Sequence, residues 1–127
     1  ERGLVLRFSA NKLFESGRED VSRKYLPFLD KIGAIIATTD RVVRVEGHTD
    51  NGALPDSSKF PTNWELSSAR AAWIVRYFVA KFKIPVRRLS AAGYADGQPI
   101  STNKNEEGRA KNRRVEIVVT NVKDLTK

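Results

Sequence analysis

Asp50 and Arg70, an acid and a base in separate segments, are the side chains best suited to holding a small charged ligand. Asp50 can accept hydrogen bonds from an ammonium group. Arg70 can grip a carboxylate through two parallel hydrogen bonds, each worth roughly 1.5–3 kcal/mol when well made. A ligand carrying both groups would satisfy both residues. Leu66 lies one helical turn before Arg70, so the two share a face and Leu66 could cover an aliphatic stem. Asn63 could cap the helix or reach the ligand, because its amide both donates and accepts. A competing account is that Asp50 and Arg70 pair with each other or only stabilise the loop, as surface ion pairs commonly do.

His48, the single histidine, precedes Asp50 by two residues. A metal site needs three or more ligands, and no cysteine or second histidine is present to supply them. A serine triad is unsupported too, because the chain has no G-x-S-x-G turn. We expect His48 to be hydrogen-bonded at a strand end, shaping the loop after it. No catalytic residue, metal or cofactor is expected. Trp73 and Tyr77, at helical spacing, read as core or subunit contact rather than a stacking site. Asn112, Arg113 and Arg114 precede the last strand-like run and could face an anion or solvent.

Positioning Asp50 and Arg70 takes a strand, a loop and a helix in succession. Residues 41–48 alternate, with Val43 and Val45 on one face and Val42, Arg44 and Glu46 on the other. The polar stretch to Pro61 is longer than most connections, and such loops are often functional. Thr62 and Glu65 form the T-x-x-E pattern of a capping box. Leu66, Ala69, Trp73, Tyr77 and Ala80 then keep helical spacing to about Phe82, and Ile84-Pro85 stops the helix.

Upstream, residues 3–8 read as a strand with Leu4, Leu6 and Phe8 on one face. Residues 9–18 read as a loop anchored by Leu13 and Phe14. A helix is expected from Glu19 and Asp20, whose charges suit a first turn, to residues 38–40. Its stripe is Tyr25, Leu29, Ile32 and Ile36, and Pro27 predicts a kink or restart within it. Downstream come a short strand at 89–94, one or two helical turns at 106–111, and an alternating strand at 114–120. Residues 124–127 are expected to fray. The order β-α-β-α-β-(α)-β predicts an α/β (α+β) two-layer sandwich on a mixed four-stranded sheet.

A length of 127 residues suits one domain, residues 1–127, with a real core. With 40% hydrophobic and 30% charged residues, the composition is globular rather than disordered. No apolar run nears the roughly 18 residues of a membrane span. The opening ERGLVLRFSA lacks a signal-peptide layout and enters a strand at once, so a fragment of a longer membrane protein is expected. The absence of cysteine excludes disulfides, thiolate metal sites and cysteine nucleophiles. A net charge of +8 raises nucleic acid as a partner. Yet the basic residues are dispersed, clustering only at 87–88 and 109–114, and no basic run is interleaved with aromatics. The charge suits any anionic polymer, and no nucleic acid is expected.

Four ordered blocks carry a family resemblance. GHTDN at 47–51, NWELSSARA at 63–71, GYAD at 93–96 with Pro99, and NRRVEI at 112–117 resemble the OmpA-like peptidoglycan-binding domain. The match runs from about Leu4 to Thr120, and FPTNWELSSARA is most similar to the MotB or sodium-driven PomB branch of flagellar motor stators. The resemblance implies a non-catalytic, cofactor-free periplasmic domain of an inner-membrane protein, anchoring an ion channel to the cell wall. It implies that Asp50 and Arg70 clasp diaminopimelate, whose side chain ends in an ammonium and a carboxylate. It implies further contacts from Phe8, Ser9, Ala10 and Asn63, while Leu66 and Arg114 also match the blocks. The implied partners are peptidoglycan, a second copy in a homodimer, and a MotA-like channel subunit reached through a segment outside this chain. The alternatives are the wall anchor of an outer-membrane porin or lipoprotein, a basic nucleic-acid-binding module, and a hydrolase using His48 and Asp50.

Overall fold

The computed structural model describes residues 3–126. Its sheet follows from the alternation of the strands. In β2 (Arg41–His48) Val43 and Val45 face one way, and in β4 (Arg114–Lys123) Val115 and Ile117 join them. The sheet has the order β1-β4-β2-β3, with β1 at Leu4–Ser9 and β3 at Leu89–Gly93. Ile117 is opposite Leu6 on one side and Val45 on the other, both antiparallel, while β3 runs parallel to β2. The sheet is therefore mixed, as expected.

The apolar face packs against α2 (Leu26–Ala37) and α3 (Asn63–Phe82). Leu29, Ile32 and Ile36 of α2 and Ile74 and Phe78 of α3 meet Val43, Val45 and Ile117 in one core. Full burial of each such side chain contributes roughly 1.5–3 kcal/mol, so this layer carries most of the fold's stability. Trp73 and Tyr77 stack with ring centres 5.4 Å apart and pack against the core.

Because α3 links parallel β2 to β3, it returns along the sheet and its first turns lie over the strand ends. Two glycines permit that approach. A Cβ on Gly47 would lie 2.2 Å from the Ser67 carbonyl oxygen, and one on Gly93 would lie 2.2 Å from Ser68 Oγ. The capping box forms: the Trp64 amide donates to Thr62 Oγ1 at 3.1 Å and the Thr62 amide to Glu65 Oε1 at 3.0 Å. Lys83, in the left-handed region at φ 57°, ends the helix before Pro85. The C-terminal ends of β1, β2 and β3 and the start of β4 thus share one rim with the start of α3.

Three local expectations are corrected. Residues 9–18 are not only loop, since Ala10–Leu13 form a short helix, α1, while Leu13 and Phe14 are buried anchors. The helix expected from Glu19 begins at Leu26, after a 3-10 turn at Arg23–Tyr25, so Pro27 lies in its first turn. There its missing amide forfeits no helical bond and no kink is needed. Glu19 and Asp20 pair instead with Lys59 and Arg18, each at 2.9 Å. Asp124, expected in a frayed tail, is buried: its amide donates to the Asp40 carbonyl at 2.6 Å and its carboxylate accepts from Arg87 at 2.7 Å. Lys127, the end of that expected tail, lies outside the described residues, as do Glu1 and Arg2. A final short helix, α4 (Glu106–Asn112), precedes β4.

Candidate functional site

The end of β2, the start of α3 and residues 14–25 border a cleft of about 1210 Å³. Asp50, Asn63, Leu66 and Arg70 all line it. Asp50 leaves β2 in a tight turn, its Oδ1 accepting from the Gly52 amide at 2.8 Å. Asn63 Nδ2 donates to the Gly52 carbonyl at 2.9 Å, so the first residue of α3 braces the same turn. Leu66 is buried on the cleft wall one turn before Arg70.

Arg70 is a buried cation with neutral partners. Its Nε donates to the Arg18 carbonyl at 2.7 Å and its Nη2 to the Glu15 carbonyl at 3.2 Å. The guanidinium lies 4.5 Å from the centre of the Phe14 ring. Among the described residues no carboxylate forms an ion pair with it. Burial lowers its pKa to about 10, against a smaller upward pull from Glu19, so it stays charged at neutral pH. A desolvated cation satisfied only by carbonyls keeps a strong attraction for an anion.

Asp50 pairs with Arg113, not Arg70. Arg113 Nη1 donates to Asp50 Oδ2 at 2.6 Å, Nε donates to Asn11 Oδ1 at 3.2 Å, and Nη2 meets Glu106. Arg113 lines the cleft, a placement that the triad Asn112-Arg113-Arg114 left open. Strand alternation holds the signal, since Arg113 shares the parity of Val115 and Ile117, whose face meets the helices.

Arg114 turns to the opposite face. It donates to Glu116 Oε2 at 2.5 Å, to the Gln98 carbonyl at 2.9 Å and to the Asn112 carbonyl at 3.3 Å, and it does not line the cleft. Phe8, Ser9 and Ala10 also lie outside the lining, while their successors Asn11 and Lys12 are in it. Phe8 packs edge-on against Phe28 at 5.2 Å, Ser9 precedes α1 without a side-chain cap, and the Ala10 amide donates to the Arg113 carbonyl at 2.9 Å. The end of β1 thus holds the residue that holds Asp50.

On the helix-free face, Glu46, His48 and Glu116 place ligand-type atoms within 4.8 Å of one another. Their carboxylates are already committed. Arg44 donates to Glu46 at 2.8 Å, while Arg114 and Arg7 donate to Glu116 at 2.5 and 3.1 Å. A metal there would face three guanidiniums, so the group is an ion network. His48 ends β2 with its Nε2 3.1 Å from Glu46 Oε1 and its ring stacked on Tyr94 at 5.0 Å. Burial of Glu116 alone would raise its pKa, but Arg114 and Arg7 together hold it below the usual carboxylate range.

Burial pushes the His48 pKa down, more than Glu46 pulls it up, and Arg114 adds to the lowering. The unfolded chain therefore takes up a proton near pH 6.5 that the folded chain refuses. Stability contributed by neutral His48 is full above that pH and is lost as pH falls through it towards the folded value. Urea unfolding at pH 7.5 and 5.5 should show this loss, and His48→Gln should flatten it. An unchanged slope in the variant would assign the effect elsewhere.

Comparison with known proteins completes the picture. The OmpA family model matches residues 13–113. The chain is 41% identical to YtxE of Bacillus subtilis over 94% of this chain and 49% of that protein. It is 32% identical to Motility protein B of B. subtilis, over 92% of this chain and 45% of that protein. The chain spans about half the length of these curated relatives. Among solved structures, the cell wall anchor of the T6SS from Pseudomonas aeruginosa superposes with a TM-score of 0.83 at 36% identity, covering 91% of this chain and 80% of that one. A periplasmic domain of Helicobacter pylori MotB gives a TM-score of 0.82 at 27% identity, covering 95% and 85%. With its sheet order, its cleft at the strand ends and a family match across most of its length, the chain belongs to the OmpA family, as a non-catalytic domain.

Proposed function

We propose that the cleft binds peptidoglycan by clasping the diaminopimelate side chain of the stem peptide. Asp50 accepts from the ammonium, Arg70 donates to the carboxylate, and Leu66 covers the stem between them. The observation that carries this reading is Arg70: a buried guanidinium that, among the described residues, meets two carbonyls and the Phe14 ring but no carboxylate, lining the same cleft as an aspartate. Asn63 supports the clasp by bracing the Asp50 turn through Gly52. Phe8, Ser9 and Ala10 act behind Arg113, and Arg114 secures the start of β4.

The names of the relatives support a larger role. Motility protein B and the MotB periplasmic domain point to a flagellar stator, in which this domain would hold an ion channel against motor torque. On this reading it works in the periplasm, joined through a segment outside this chain to an inner-membrane part that meets the MotA-like subunit. Among the described residues no helix is long and apolar enough to cross a membrane. Two copies in a homodimer would add avidity on one polymer. Likeness to the T6SS wall anchor supports a second reading, an anchor for a different envelope assembly.

Titration with two tripeptides tests the clasp, one ending in meso-diaminopimelate and one in lysine, which lacks the terminal carboxylate. We expect the amide signals of Gly52 and Arg70 to shift with the first, and the second to bind at least tenfold more weakly, the scale of one lost charge-assisted pair. Equal binding of both peptides would overturn the carboxylate role of Arg70.

A further inference from the structure

The cleft extends past the clasp to a wall of cations that the clasp does not use. Lys12 on α1 and Arg23 and Lys24 on the 3-10 turn line it, and all three are exposed. Backbone contacts bring them together. Phe14 and Val21 form an antiparallel bridge, and the Ser22 amide donates to the Leu13 carbonyl at 2.7 Å. Lys12 and Arg23 flank that hydrogen bond in sequence, so the fold runs their backbones alongside each other on one wall of the cleft.

Among the described residues, neither Lys12 nor Arg23 has an ion pair or side-chain hydrogen bond, and Lys24 meets only the Tyr25 ring, at 5.4 Å. Most neighbouring acids are engaged: Asp20 by Arg18, Glu19 by Lys59 and Asp50 by Arg113. Glu15, exposed on the same cleft, offers one opposing charge to three cations. Clustered like charges that outnumber their counter-charges repel, and an arriving anion relieves the repulsion.

We infer that Lys12, Arg23 and Lys24 form a second anion subsite, reading a free carboxylate on the stem peptide one residue from the clasped side chain. That neighbour is a γ-linked glutamyl residue, whose α-carboxyl is a carboxylate in some walls and an amide in others. The subsite rests on the clasp reading and deepens it. It makes the domain selective for the un-amidated polymer.

The test uses calorimetric titration with two forms of L-alanyl-γ-D-glutamyl-meso-diaminopimelate, the glutamyl α-carboxyl free or amidated. The native chain should bind the free form about five- to tenfold tighter, the scale expected of one or two surface charge pairs. The triple variant Lys12→Gln, Arg23→Gln, Lys24→Gln should bind both forms equally, at the native affinity for the amidated one. A native chain that does not discriminate, or a triple variant that still does, overturns the subsite and leaves the clasp standing. Arg70→Ala should lose both peptides; if it keeps them, the clasp fails and the discrimination data still decide the subsite. Native protein that binds neither peptide overturns both readings.

Discussion

Arg70→Ala should lower affinity for diaminopimelate peptides by a hundredfold or more, the loss expected of two charge-assisted bonds at roughly 1.5–3 kcal/mol each. It should also loosen residues 14–22, because the guanidinium is the side-chain link from α3 to the Arg18 and Glu15 carbonyls. These two effects separate in Arg70→Lys. Lysine keeps a positive charge at the cleft but cannot reach two carbonyls and a carboxylate with one planar fork. Measured together, urea unfolding and peptide titration should show the lysine variant intermediate in binding and close to alanine in stability. Full affinity in a folded alanine variant would remove Arg70 from the site.

Arg114→Ala is expected to act on stability instead, by about 3–5 kcal/mol, as for other broken buried ion pairs. Glu116 is 1% exposed and Arg114 4%, and their 2.5 Å contact leaves neither free to find water. Truncating Arg114 leaves the carboxylate with a guanidinium from Arg7, an exposed side chain, and removes the donor to the Gln98 carbonyl. Chemical denaturation should show the loss directly. Below its lowered midpoint the variant should still bind peptide, since Arg114 does not line the cleft. Replacing both partners, as Arg114→Met with Glu116→Leu, should recover much of the stability, because no buried charge is stranded. Binding lost in folded Arg114→Ala would place this residue in the site after all.

The elements that carry Asp50 and Arg70 were legible because their signals are local. β2 is read from alternation, and α3 from its capping box at one end and Pro85 beyond the other. Features set by distant partners were not. Glu19 resembles a first-turn acid, yet its partner is Lys59, in the loop before α3. Asp124 resembles a tail residue until Arg87 and Asp40 close on it. α1 is a single turn, too short for any periodicity to show.

The site divides the same way. Asp50, Asn63, Leu66 and Arg70 could be grouped from charge type and helical spacing, and they do share one cleft. The carbonyls that hold Arg70 could not be foreseen, because backbone acceptors leave no mark in side-chain identity. The choice between Arg113 and Arg114 was open to a parity argument. Odd-numbered β4 residues face the helices, so the arginine at 113, rather than 114, was the one aimed towards the cleft.

Co-sedimentation with diaminopimelate-type sacculi, comparing the native chain with Asp50→Ala and Arg70→Ala, tests whether both charges hold the wall. Native protein should pellet with the wall, and each folded variant should stay in the supernatant. Either variant pelleting like the native chain would contradict the two-charge clasp.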